Sequence, residues 1–212
     1  MKNNTQNNTF DAIVVGSGIS GGWAAKELTE RAEVPVLLCV VDVPSQVCAL
    51  AHKAYVSPPV NTEVLNALLN TDAACFSLVL FALMANLLAK GGALVTQATS
   101  PFFSKRAFLS ILKTIDSAGL ATVAYHNNIP TLGEWAWVLG LNAPEWDSAA
   151  LRERLERLDL SGLETRFLNR DAMVSMLHFG KGVFEELSQV EVNDEIELAL
   201  HRYYRQGAWD IY

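Results

Sequence analysis

The sequence predicts an α/β protein built on a mostly parallel sheet. Short apolar runs alternate with helix-like stretches along the chain. The run Val34 to Pro44, VPVLLCVVDVP, is unbroken, rich in Val and bounded by turn formers, so it reads as a parallel strand buried on both faces. Phe10 to Val15 leads straight into Gly16-Ser17-Gly18-Ile19-Ser20-Gly21 and then WAAKELTERA, a strand, Gly turn and helix in the order that starts a βαβ unit.

Composition bounds the function. The chain has 212 residues, enough for one domain with a sizeable core, and half of them are hydrophobic. A formal net charge of -7 argues against a nucleic-acid partner, which needs a basic patch for its phosphates, and suits a cationic small substrate. Cys39, Cys48 and Cys75 show no metal-ligand spacing and read as buried thiols of a reducing, cytoplasmic compartment. His52, His178 and His201 have no paired spacing either, and no metal is expected. The polar, Asn-rich residues 1–9 read as a disordered tail rather than a signal peptide.

The elements follow in order. Strands are expected at 10–15, 34–42, 93–98, 120–125 and 134–140. Pro58-Pro59 marks a loop, and Thr62 caps a helix with Leu65, Leu68 and Leu69 on one face. Ala73 to Ala89 is apolar but short for a membrane span; it reads as a buried helix ended by Lys90-Gly91-Gly92, and it is the only membrane candidate. An amphipathic helix starts at Ser104 or Lys105, turns Phe108, Ile111, Leu112 and Ile115 inward and closes at Gly119. His126 to Gly133 reads as a loop. Ser148 to Leu158 is a charged helix capped by Ser148 and carrying a Glu153/Arg157 pair. The expected organisation is a tail (1–9), a Rossmann-like α/β domain (10–145) and a helical C-terminal extension (146–212). Within the α/β domain, 93–139 has the strand–helix–strand–loop–strand order of the second half of a methyltransferase-like sheet, which often ends in an antiparallel hairpin.

Open α/β sheets bind ligands beyond the carboxyl ends of their strands. Asp42 stands at such an end, and Gln97 ends the next predicted strand. An Asp there can equally cap the following turn, and a Gln can bond to loop backbone. In the Gly turn, Gly16 makes the tight bend, Gly18 lets a ligand approach the backbone, and Gly21 lets helix and strand pack closely. Trp135 and Trp137 read as core.

Two family resemblances follow from these residues. FDAIVVGSGISGGWAAKELTE, residues 10–30, resembles the N-terminus of glucose–methanol–choline type FAD oxidoreductases. That resemblance implies FAD pyrophosphate at Gly16, Gly18 and Gly21, and an alternative reading of the chain as a flavin- or dinucleotide-binding fragment. From about Leu37 onward the chain resembles the C-terminal half of the polyamine aminopropyltransferases, the spermidine synthase family. The match is carried by VVDVP (40–44), KAYVS (53–57), GGALVTQATSPFF (91–103), YHNNIPTLGEWAWVLG (125–140), ETRFL (164–168) and RYYRQG (202–207), with 58–77 as an insertion.

This second resemblance implies transfer of an aminopropyl group from decarboxylated S-adenosylmethionine to a diamine such as putrescine, with no further cofactor. It implies Asp42 as base and cation anchor. The family's second Asp, three residues on, is replaced by Ser45 here. Gln97 corresponds to a polar group near the amine, Tyr125 and His126 begin the loop over the site, and Glu134 is a candidate cation contact. The family's earlier, donor-binding half gives way to the Gly-turn segment, which predicts a degenerate or inactive transferase as one form of this reading. A homo-oligomer is compatible with it.

Overall fold

The computed structural model describes residues 10–15, 36–39, 77–130, 133–162, 164–194 and 196–207. Among the described residues five strands form one sheet: β1 (Phe10–Val15), β2 (Val36–Cys39), β3 (Leu88–Gln97), β4 (Ala121–Ile129) and β5 (Gly133–Leu141). Their order is β2-β1-β3-β5-β4. β1 runs parallel to both β2 and β3, while β5 is antiparallel to both β3 and β4. Among the described strands four point the same way and β5 is reversed, so the sheet is mixed, with two parallel and two antiparallel pairings, and it ends in the expected hairpin.

Helices cover both faces. On one face lie α1 (Leu78–Leu87), α2 (Lys105–Ser117) and, from the C-terminal region, α5 (Ala199–Arg205). Their Phe81, Met84, Phe108, Ile111, Ile115 and Tyr203 pack with Ile13, Leu94, Ala136 and Val138 of the sheet. On the other face, Leu151 of α3 (Ser148–Glu156) and Leu177 of α4 (Arg170–Leu177) pack on Ala121 and Val123. α2 forms for the reason its sequence gives: apolar residues recur at helical spacing, and Phe108, Ile111 and Ile115 are fully buried. Gly119, at φ +87, supplies the left-handed turn that ends it. Among the described residues no helix is long and apolar enough to cross a membrane.

The described part of the Val34 to Pro44 run, β2, is a parallel strand as expected, and among the described strands it stands at one end of the order, with β1 bonded directly to β3. Residues 34, 35 and 40–44 lie outside the described residues. Several expectations change. Lys90-Gly91-Gly92 does not end α1. The helix stops at Leu87, where Leu88 turns extended, and these residues belong to β3. Asn142 is the cause. Its backbone exchanges bonds with this bend, Gly91 N–H to Asn142 O at 2.7 Å and Asn142 N–H to Gly92 O at 2.9 Å. Its side-chain amide donates to Leu88 O at 2.9 Å and Ala89 O at 3.3 Å. Gly91 sits at φ +80, which only glycine adopts without strain, and the register jumps from Phe10↔Leu88 to Ala12↔Ala93 across the bend.

The predicted loop from His126 to Gly133 is mostly strand, because β4 stays paired with β5 as far as Ile129↔Gly133. The cap of α3 is Asp147 rather than Ser148: the Asp147 carboxylate accepts from Ala150 N–H at 2.7 Å. The Ser148 hydroxyl is engaged by Thr122 N–H at 2.9 Å, which satisfies a donor on the outer strand β4. The Glu153–Arg157 pair forms at 2.7 Å on the surface.

Candidate functional site

Because β1 to β4 share one direction, their carboxyl ends line one edge of the sheet, joined there by the amino end of β5. Val15 is level with Cys39 on one side and with Thr96 on the other, so three strand ends lie at one height. Gln97 is the last residue of β3 and is exposed. Opposite it on β5 is Trp137, and opposite Trp137 on β4 is Tyr125. The three side chains form a row across three strands on the face that carries α3 and α4. The Tyr125 and Trp137 rings stack at 5.7 Å with 14° between planes. Burial pushes the Tyr125 phenol up to about 12, so it stays un-ionised and can both donate and accept.

The chain leaves β3 through a strained residue. Thr99 has φ 60, unusual for a β-branched side chain. It is held there from two sides: Ala98 N–H donates to Ala136 O, Ala136 N–H donates to Thr99 O, both at 2.8 Å, and Tyr204 of α5 is hydrogen-bonded to the Thr99 side chain. Burial pushes the Tyr204 phenol up, and the Thr99 bond offsets part of that. Ser100 then accepts from Phe103 N–H at 3.1 Å and Phe102 N–H at 3.3 Å, and α2 begins. Such strain persists where the surroundings over-determine it, and it clusters at working edges.

On the opposite face of the hairpin, the His126 ring lies between two acceptors. Nδ1 is 2.9 Å from a Glu134 carboxylate oxygen, and Nε2 is 2.8 Å from the His178 carbonyl oxygen. The ring also lies 4.3 Å from that of Phe179.

The structure thus joins Gln97 and Tyr125 through Trp137, and joins Glu134 to His126 on the other face. Asp42, Ser45, Gly16, Gly18, Gly21 and His52 lie outside the described residues. β2 and β3 flank β1 instead of adjoining, so the described end of β2, Cys39, is two strand spacings, about 10 Å, from β3. Trp137, read as core, is half-buried and bridges the row. Its register opposite both Gln97 and Tyr125 needs the strand pairing, which no local pattern shows. Thr99 and the 178–179 turn left no signal in the sequence at all.

These features define a class first: an α/β protein with a methyltransferase-like sheet whose carboxyl edge carries a polar–aromatic row. Spermidine synthase from Thermotoga maritima shares the fold, with a TM-score of 0.56 at 18% identity over 85% of this chain and 68% of that one. Residues 62–150 match the family model of the spermine/spermidine synthase domain. The polyamine aminopropyltransferase of Shewanella oneidensis is 29% identical over 123 residues, 58% of this chain and 21% of that protein. That of Oceanobacillus iheyensis is 31% identical over 159 residues, 73% of this chain and 27% of that protein. The chain therefore spans about a quarter of the length of these curated relatives. The resemblance read from residue 37 onward stands as one to the polyamine aminopropyltransferases.

Proposed function

We propose that this chain acts as an aminopropyltransferase of the spermidine synthase type, a cytoplasmic catalyst moving an aminopropyl group from decarboxylated S-adenosylmethionine to a diamine such as putrescine. The observation that carries the reading is the Gln97–Trp137–Tyr125 row at the carboxyl edge, inside the stretch that matches the domain. A diamine needs apolar walls for its methylenes and acceptors or π faces for its ammonium ends. Tyr125 and Trp137 supply the rings, and the Gln97 side-chain carbonyl supplies an acceptor. The net charge of -7 favours approach of such a cation.

In this reaction the attacking amine must be neutral. Its lone pair forms a bond to the aminopropyl carbon, the carbon–sulfur bond breaks toward the sulfonium sulfur, and a neutral thioether leaves. The proton released by the new ammonium goes to a carboxylate, the role assigned here to Asp42, with Ser45 at the position where the family has its second, diamine-holding Asp. Glu134 adds negative charge on the other side of the hairpin, and Gly16, Gly18 and Gly21 follow β1 where a nucleoside donor would approach. No observation of the fold favours the flavin alternative, which rests on residues 10–30 alone.

The test is ligand-linked stability. A ligand that binds only the folded chain stabilises it by about 2.7 kcal/mol at one hundred times its dissociation constant. For a chain of this length that raises Tm by about 5–11 °C. Decarboxylated S-adenosylmethionine, its thioether product and putrescine should each raise Tm, and FAD should not. A shift with FAD alone would overturn the proposal in favour of the flavin reading, and no shift with any of the three would overturn it outright.

A further inference from the structure

We infer that His126 is a positioning residue: it latches the β4–β5 hairpin to the turn at residues 178–179 and so holds the neighbouring Tyr125 in the acceptor row. The inference rests on the transferase reading above and adds a part to it.

The geometry carries it. A carbonyl oxygen only accepts, so the His126 nitrogen facing the His178 carbonyl at 2.8 Å, Nε2, carries a proton. Nδ1 faces the Glu134 carboxylate at 2.9 Å, across the hairpin from β4 to β5. Both partners accept, so with a proton on each ring nitrogen this one ring ties both strands of the hairpin to a segment 52 positions away in sequence. The segment is itself anchored. Arg152 of α3 donates to Leu177 O at 2.6 Å, and the His178 ring bonds back to Val174 O at 2.8 Å. Phe179 stacks on Phe108 of α2 at 5.6 Å and meets Phe184 edge-on at 5.0 Å. The hairpin rim is thus fastened, through one imidazole, to groups from α2, α3 and α4. Tyr125 is the next residue along β4 and points to the opposite face, so a tilt of the strand at His126 moves the phenol at Tyr125.

Two near-isosteric variants separate the halves of the latch. In His126→Gln the amide nitrogen falls near Nε2 and keeps the bond to the His178 carbonyl. In His126→Asn it falls near Nδ1, keeping Glu134 and losing the turn. Steady-state transfer to putrescine and hydrogen exchange of the 179–187 amides are measured on both and on the parent chain. The expected result is a KM for putrescine raised about fivefold to tenfold in His126→Asn, kcat within twofold, faster exchange at 179–187, and recovery of all three in His126→Gln. An unchanged KM in His126→Asn, or equal losses in the two variants, overturns the inference. A parent chain without transfer fails the reading of the function instead. The latch is then judged by exchange alone: faster 179–187 exchange in His126→Asn than in His126→Gln supports it, and equal exchange overturns it.

Discussion

Gly140→Ala tests the corner that sets the register of β5. Gly140 lies opposite both Leu94 and Thr122, three residues beyond Trp137 on the same strand. A methyl group there would come within 2.9 Å of Leu120 Cδ1, 3.2 Å of Ile115 Cγ2 and 3.4 Å of Leu120 Cβ. Leu120 can swing its far end, but Ile115 is fully buried in α2 and β-branched, so its χ1 is stiff. Overpacking of this size costs about 1–3 kcal/mol. Replacing Gly by Ala also lowers the entropy of the unfolded chain, worth about 0.4–1 kcal/mol in the opposite sense. The net is a loss of about 1.5 kcal/mol, or about 3–6 °C in Tm for a chain of this length. Urea unfolding with an unchanged m-value and calorimetry on both proteins would measure it. A Gly140→Ala protein as stable as the parent, or more so, would show that β5 does not pass this close to α2, and the Gln97–Trp137–Tyr125 register would fall with it.

Phe108→Ala removes a fully buried ring that packs on both Phe179 and Phe184, and should cost about 3–5 kcal/mol in urea unfolding. A loss under 1 kcal/mol would mean that this aromatic cluster does not fasten the 179–184 segment to α2. Tyr125 sets an alkaline limit. Its phenol is raised from 10.0 to about 12 by burial, so the unfolded chain loses its proton first. Stability from this group is intact below pH 10 and is lost as pH rises towards 12, at about 1.4 kcal/mol per pH unit. Tyr125→Phe should remove that part of the pH dependence, and an identical alkaline decline in both proteins would refute it.

What was legible and what was not divides by range. Residues whose fate is local read correctly: the apolar spacing of Phe108, Ile111 and Ile115 fixed one face of α2, and Gly119 ended it. The strand cores at 10–15 and 134–140 also read directly, because an apolar run between turn formers has few other uses. Pairing partners did not read. The Val34 to Pro44 run reads as a parallel strand, but that β1 lies between it and β3 among the described strands is a choice made by long-range packing. Lys90-Gly91-Gly92 carries a helix-stop signal, and Asn142, some fifty positions away, overrides it. At the site, Gln97 and Tyr125 were visible as strand-end residues, while their meeting through Trp137 needed the antiparallel register. The latch needed more still, since His178 looks like an ordinary histidine and His126 like the start of a loop until the carbonyl of one faces the ring of the other.

The most direct measurement is aminopropyl transfer itself, from decarboxylated S-adenosylmethionine to putrescine, run on the parent chain and on Asp42→Asn with melting curves taken on the same samples. Removing a catalytic base costs about two to four orders of magnitude in rate, while Asn caps turns nearly as well as Asp. The account predicts spermidine from the parent chain, a rate lower by about that factor in Asp42→Asn, and matching melting points. Equal rates in the two proteins, or a melting point that falls sharply with the substitution, would contradict it.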